Sequence, residues 1–500
     1  MDVKPDRQSF CATYETGRPQ VVWTTLVADL ETPVSAFLKL AEGRPYSFLL
    51  ESVEGGAVRG RYSIIGLKPD LIWRCFGERA EVNRRALVER DAFVPCDAPS
   101  LESLRALLEE SRIEMPEGLP PPAAGLFGFM AYDMVRLMER LPADNPDRLG
   151  LPDSVFMRPT IVAVFDNIAD SVTLVTPVWP SQDLGAARAH DLALERLADA
   201  VADFDRGMRH DPPRASKVTI EPQSNVTKAE FMAMVEKAKA YIAAGDAFQV
   251  VPSQRFAVPF DLPPLSLYRA LRRLNPSPFL FCVDLDGFTL VGSSPEILVR
   301  LRDGKVTIRP LAGTRPRGAT RAEDEALAAE LLADPKECAE HLMLLDLGRN
   351  DVGRVAEVGS VTVTEKMVIE RYSHVMHISS NVEGRLRDGF DALDALMAGF
   401  PAGTVSGAPK VRAMEIIEEL EPERRGFYAG TIGYFAADGS MDTCIGLRTA
   451  LVKDGVMYAQ SGGGVVYDSD PEAEYQESIN KARALMRAAE EAVRFASRSR

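Results

Sequence analysis

The segment that most constrains the fold is Pro335–Arg354, PKECAEHLMLLDLGRNDVGR, which sets two carboxylates beside a strongly apolar run. Asp334 suits a helix cap and Pro335 its first turn, so the segment is predicted to be helical to about Asn350. At about 100° per residue, Glu337, Glu340, Leu344 and Leu347 share one face. The carboxylates therefore point where, one or two turns later, the same face is buried. Ionised groups in such a place must be paired, protonated or bound to a cation, because uncompensated burial of charge costs several kcal/mol.

A second carboxylate pair lies far along the chain, in DSDPEAEYQESINKARALMRAAEEAVRFA. Asp470 and Pro471 again signal a helix start, and Glu474, Glu477 and Lys481 fall in a stripe about 60° wide. That stripe borders the apolar side formed by Ala482, Leu485, Met486, Ala489 and Val493. Read alone, Glu477 and Lys481 are an i,i+4 surface pair contributing a few tenths of a kcal/mol. Taken with the first pair, they make an oxygen-ligand site for Mg²⁺ an expectation, with no fixed cation from the chain to balance the four carboxylates.

At 500 residues the chain exceeds what one core usually serves, and two large regions are expected. A net charge of −15 argues against nucleic acid as a main partner, since phosphate binding needs clustered Lys and Arg. The cysteines (Cys11, Cys75, Cys96, Cys282, Cys338, Cys444) are scattered without CxxC or metal-ligand spacing and read as reduced thiols. MDVKPDRQSF has no apolar signal region and no 18-residue apolar run follows, so a cytoplasmic protein with no membrane partner is expected.

Taken in order, Tyr46–Cys75 reads as a hairpin or meander about Gly55–Gly56, and VFMRPTIVAVFDNIADSVTLVTPV as two strands about Asp166–Asn167. A helix carrying Leu192, Leu197 and Phe204 follows. GMRHDPPRASK, Gly207 to Lys217, reads as a linker between an N-terminal region, 1–216, and a C-terminal region, 217–500. Thr227 starts the next helix, DAFQVVPSQRFAV reads as a strand, and Asn275 to Gly318 as a hairpin series. That series closes in a Gly/Arg loop whose Arg315 and Arg317 suit a carboxylate, the alternative being a purely structural turn. VIERYSHVMHISSNVEGRL reads as a strand with His374 and His377 on opposite faces.

Seven segments carry a resemblance. GSSPE (Gly292–Glu296), RPLAGTRPRG (Arg309–Gly318), DPKECAEHLMLLDLGRND (Asp334–Asp351) and FPAGTVSGAPKVRAMEII (Phe400–Ile417) resemble the chorismate-utilising enzymes. So do GFYAGTIGYF, MDTCIGLRTA and SGGGVVYDSDPEAEYQESINKA. The likeness is dense from about Ser224 to Ala488 and looser before it. It implies an α/β chorismate-binding fold in which β-sheets pack face to face with helices outside.

Two departures narrow the chemistry. Where some members carry a lysine nucleophile before the GT of the Gly/Arg loop, this chain has Ala312. Where isochorismate-forming members activate water with a lysine, it has Gln249, and a neutral amide cannot be that base. Both favour direct addition of ammonia and the anthranilate-forming branch. The branch that makes aminodeoxychorismate, and an inactive amino-acid-sensing subunit, are the rival readings.

The resemblance implies roles residue by residue. Glu340 and Glu477 would ligate Mg²⁺, with Glu337 and Glu474 holding its waters. Tyr428, Arg448 and the backbone of Gly462, Gly463 and Gly464 would hold the enolpyruvyl carboxylate. Gly313 and Thr314 would border the ring, and Thr404 and Lys481 complete the pocket. Glu296 would be the proton donor and His377 the base that takes the C2 proton. With no glutaminase signature in the chain, a glutamine amidotransferase subunit (component II) is implied, hence a hetero-oligomer. A feedback site for L-tryptophan is implied at Glu51, Ser52, Asn275, Pro278, Phe279 and Leu280.

Overall fold

The computed structural model describes residues 1–41, 43–54, 58–208, 220–372 and 375–498. Two antiparallel ladders organise it, joined through two long strands, Val58–Phe76 and Ser154–Asp166. The first ladder runs from Gln20–Val27 through Ser171–Val178 to those long strands, then through Phe48–Glu54 to Phe279–Asp284. It continues through Phe288–Ser294, Thr449–Lys453 and Val456–Gly462 to Ser253–Pro259. The second leaves the other ends of the long strands through Gly125–Met130, Thr431–Ala436, Met441–Ile445, Ile297–Arg302 and Lys305–Ile308. It ends at Val375–Arg385, which also pairs with Leu311–Pro316 and Thr362–Arg371. A register shift between Pro69 and Leu71 marks where Val58–Phe76 passes from one ladder to the other, at a proline that has no N–H to give.

Strand alternation sorts the core into layers. Phe48, Ile64 and Phe281 of the first ladder meet Phe127, Phe129 and Ile432 of the second in one apolar cluster. The Phe48 and Phe127 rings stack across it with centroids 4.4 Å apart. One residue along, Leu49 and Ile65 face outward under Arg7–Glu15, Pro33–Ala41, Ala186–Asp205, Pro264–Leu274 and Pro471–Arg498. Trp73, Leu298 and Phe435 on the far side lie under Ser100–Glu110, Pro335–Gly353 and Ala392–Gly399. The result is helix, sheet, sheet, helix, the α/β arrangement of face-to-face sheets that the resemblance implied. Among the described residues no helix is long and apolar enough to cross a membrane.

Residues from both ends of the chain share these sheets. Phe48–Glu54 pairs with Phe279–Asp284, placing Glu51 opposite Leu280 and Ser52 opposite Phe279, and Gly125–Met130 pairs with Thr431–Ala436. The expected boundary at 216/217, most of the Gly207–Lys217 linker and the Gly55–Gly56 turn lie outside the described residues.

Local signals set the helix starts. Asp334 accepts from the Lys336 and Glu337 amides and the helix runs Pro335–Gly353. Asp470 accepts from the Ala473 amide at 2.8 Å, and Thr227 forms a capping box with Glu230. Two single-strand readings need correction. DAFQVVPSQRFAV divides at Pro252 into Gln249–Val250, which pairs with Gly407–Ala408, and Ser253–Pro259, which joins the first ladder. VIERYSHVMHISSNVEGRL is the meeting of two strands, Thr362–Arg371 and Val375–Arg385, and His374 lies outside the described residues.

Candidate active site

One short strand, Leu311–Pro316, holds two buried titratable groups. Glu296, 5% exposed, accepts from the Leu311 amide at 3.3 Å and from the Thr404 hydroxyl at 3.2 Å. Burial pushes its carboxyl up to about 8, so it is largely protonated at neutral pH. His377 is buried on the paired strand, with Nδ1 3.0 Å from both the Gly313 carbonyl and the Thr314 hydroxyl. A carbonyl only accepts, so Nδ1 carries the proton and Nε2 the lone pair. Burial, helped by the Arg448 charge, brings the imidazole down to about 4 and keeps it neutral. Gly313 sits at φ +72° in the bulge between Ala312 and Thr314, which aims its carbonyl at the ring.

One edge of the site is built around Arg448, held at φ +46°. Among the described residues no acceptor pairs with its guanidinium, and burial lowers its pKa. Tyr428 is buried with the Gly462 amide as partner, and burial pushes its hydroxyl up to about 12. Behind it the buried Arg425 pairs with Glu421 and donates to the Val405 and Val251 carbonyls at 2.7 and 2.6 Å. It thereby ties the segments bearing Thr404 and Gln249 to one point.

Gly463 and Gly464 let the two acidic helices approach the same backbone. A Cβ on Gly463 would stand 2.5 Å from Glu474 Oε2, and one on Gly464 would stand 2.4 Å from Gln249 Nε2. Lys481 donates to the Gly462 carbonyl at 3.0 Å. Around this backbone each carboxylate has one partner from the chain. Gln249 donates to Glu340 at 2.9 Å, Ser469 to Glu474 at 2.7 Å, and Lys481 pairs with Glu477 at 2.7 Å. Arg315 reaches Glu337 at 3.3 Å. The expectation that no fixed cation would meet these glutamates therefore fails, because Lys481 and Arg315 both do. Arg315 also pairs with Glu330 and Asp334, and Arg317 grips Asp324 with two bonds, so neither loop arginine is left for a ligand.

The donor set nonetheless fits a hard divalent cation. Burial raises the carboxyls of Glu340 and Glu474, and the neighbouring like charges add to it. Glu474 Oε2 is buried with no hydrogen-bond partner among the described residues. Side-chain oxygens without full compensation are what Mg²⁺ and its waters satisfy. Among the described residues no three His, Cys, Asp or Glu groups already form a metal cage.

A cavity of about 1020 Å³ brings together Ser52, Pro278, Phe279 and Leu280, with Glu51 in its wall, and extends to Leu311, Glu370 and Tyr372. Glu51, expected to offer its charge there, is held by Arg272 at 2.6 and 2.8 Å and by the Tyr268 hydroxyl. Asn275 is outside the wall: it ends Pro264–Leu274 and its carbonyl accepts from Ser293.

Sequence reading missed Arg425 and the Arg309–Glu370–Tyr372 cluster. The spacing of Glu370, on the strand, and Tyr372, one residue past its end, was the available signal.

The model of the chorismate binding enzyme family matches residues 65–487. This chain belongs to the chorismate-binding enzymes. It is 62% identical over 494 residues to anthranilate synthase component 1 of Cereibacter sphaeroides, covering 98% of this chain and 99% of that one. The component 1 of Pseudomonas putida is 49% identical over 468 residues, 92% of this chain and 93% of the relative. Among solved chorismate-binding structures, anthranilate synthase component I from Streptococcus pneumoniae superposes with TM-score 0.73 at 37% identity, covering 85% of this chain and 92% of that one. The menaquinone-specific isochorismate synthase from Escherichia coli shares the fold at TM-score 0.71 and 19% identity, covering 97% and 100%.

Proposed function

We propose that this chain is the aminase subunit of an anthranilate synthase, converting chorismate and ammonia to anthranilate and pyruvate in tryptophan biosynthesis. The observation that carries the reading is the acid and base on one strand: a protonated Glu296 and a neutral His377, both held by Leu311–Thr314. Arg448, Tyr428 and the Gly462–Gly464 backbone bind the enolpyruvyl carboxylate, with Gly313, Thr314, Thr404 and Lys481 around the ring. Ammonia adds at C2 while Glu296 gives its proton to the departing C4 hydroxyl, which leaves as water. His377 Nε2 then takes the C2 proton as the bond to the enolpyruvyl oxygen breaks, the ring becomes aromatic and pyruvate departs. Gln249, in place of a lysine, cannot activate water, which favours ammonia as nucleophile. Glu340 and Glu477 would hold Mg²⁺, with Glu337 and Glu474 on its waters, and the cation supplies charge that neutralises the ring carboxylate.

Residues 217–500 are assigned the chemistry. Residues 1–216 supply Glu51 and Ser52 to a tryptophan site completed by Pro278, Phe279 and Leu280, with Asn275 behind it. Ammonia comes from glutamine on a separate amidotransferase subunit, in a hetero-oligomer. The name component 1 carried by the relatives supports that partnership. Incubating the purified chain with chorismate, Mg²⁺ and ammonium is expected to yield anthranilate and pyruvate. Aminodeoxychorismate without pyruvate would favour the rival branch, and no turnover the sensing subunit.

A further inference from the structure

In the cavity wall, beside Glu296 and His377, lies a charged cluster that the steps above leave unused. Glu370 stands directly opposite His377 where Thr362–Arg371 pairs with Val375–Arg385. One of its oxygens accepts from Arg309 at 2.6 and 2.5 Å, and the other from the Tyr372 hydroxyl at 2.6 Å. Burial alone would raise this carboxyl, but the Tyr372 hydroxyl and the Arg309 guanidinium outweigh it and keep the group ionised. Arg309 also pairs with Glu365 at 2.7 Å, so the cluster retains a net negative charge. The Tyr372 ring rests on the His377 imidazole, centroids 5.6 Å apart and planes at 60°. Arg309 precedes by two residues the Leu311 amide that holds Glu296.

We propose that Glu370 is a positioning residue for the proton-abstraction step: fixed by Arg309 and Tyr372, its charge stabilises the imidazolium formed on His377, while the Tyr372 ring keeps Nε2 aimed at the C2 proton. Both carboxylate oxygens are occupied by donors, so Glu370 does not compete for the proton and acts through its field and through Tyr372. A preorganised charge beside a developing one needs no rearrangement during the reaction. When the C2 proton moves to Nε2, the imidazole gains one positive charge, the C–H electron pair forms the ring double bond, and the C–O pair leaves on oxygen as the enolate of pyruvate, which takes a proton from water; the imidazolium returns its proton to solvent.

The proposal rests on the reading of His377 as the base, and the test separates the two. The full chain and its His377→Met, Glu370→Gln, Glu370→Asp and Tyr372→Phe variants are compared with chorismate, Mg²⁺ and ammonium, following chorismate consumed and anthranilate formed. Glu370→Gln is expected to lose about tenfold in anthranilate formation, the size of a one-unit change in the basicity of the base, while consuming chorismate faster than it aromatises. The difference should leave as an aminated, non-aromatic product, with KM for chorismate within about twofold. Glu370→Asp should recover part of the anthranilate, and Tyr372→Phe, which keeps the ring, should show the same uncoupling more weakly. A purely structural role would lower both rates in proportion in Glu370→Gln and Tyr372→Phe, and that overturns the proposal. If His377→Met uncouples the steps and neither of those variants does, Glu370 has no such role and the base assignment stands. If His377→Met does not uncouple them, the base assignment and this proposal fall together.

Discussion

The two halves of the candidate site solve opposite problems. In the proton-handling half, Glu296 and His377 are 5% and 8% exposed and neutral, with partners within 3.3 Å. In the acidic half, the side chains of Glu477 and Lys481 are 50% and 46% exposed, and the four glutamates lean on separate partners. Burial by itself can prepare an acid or a base, because it moves pKa values in whichever direction favours the neutral form. It cannot prepare a cluster of anions, which repel one another until a cation arrives. The first half is therefore finished by folding, and the second, on the proposed reading, is completed by a cation and the substrate's carboxylate.

The strongest attack on this contrast is at the acidic half. Stripping divalent cations with EDTA, or making Glu340→Ala or Glu477→Ala, is expected to bring turnover below detection, with Mg²⁺ restoring only the stripped wild type. Full activity in EDTA would sink the metal assignment. Next in size is His377→Met, expected to cut anthranilate formation by roughly 10²–10⁴ while chorismate is still consumed. Anthranilate fluorescence against chorismate absorbance reads the split, and normal anthranilate release would point to another base.

The pH dependence sharpens the comparison from the other half. Because Glu296, as the proposed acid, must carry a proton and its carboxyl lies at about 8, kcat/KM for chorismate at fixed free ammonia is expected to fall about tenfold per unit above that pH. His377, at about 4, places no limit near neutrality. Stability runs the same way. From the ordinary 4.5 up to about 8 the folded protein holds a proton that the unfolded chain has lost, so stability falls as pH rises through that window. Glu296→Gln removes this slope, a difference of a few kcal/mol at most between acid and alkaline denaturant melts. A variant with the wild-type slope would show that Glu296 does not carry it. The smallest expected effect on the chemistry is from Ser52→Phe, which fills part of the cavity beside Phe279. Tryptophan inhibition should weaken by about 1–3 kcal/mol of coupling, with chorismate turnover nearly unchanged. Equal inhibition of variant and parent would move the effector elsewhere.

What could be read from the sequence follows the range of the interactions. Asp334, Asp470 and Thr227 marked their helices because capping is decided within three residues. The motif-bearing residues were readable as a set, since Glu296, His377, Arg448 and the glycines sit in long distinctive segments. Partner choice across the chain was not. Arg272 reaches Glu51 across a pairing of distant strands, so a carboxylate that looked available to a ligand already has its counter-ion. Arg315, which suited a substrate carboxylate, closes instead on Asp334 and Glu337 of the following helix. Glu370 escaped notice because most of its strand faces solvent, and a charged residue there looks ordinary until the register with His377 is known.

The interleaving of early and late strands also sets a clock. During synthesis, Phe48–Glu54 emerges roughly 230 residues before its neighbour Phe279–Asp284, which at about 5–20 residues per second is on the order of ten to fifty seconds. Gly125–Met130 waits longer still for Thr431–Ala436. For that interval the nascent chain presents an unpaired edge bearing Leu49 and Leu50, an invitation to pair with other chains. Slowing elongation between these segments should therefore lengthen the nascent chain's dependence on chaperones, while the finished protein, with both edges covered, needs none.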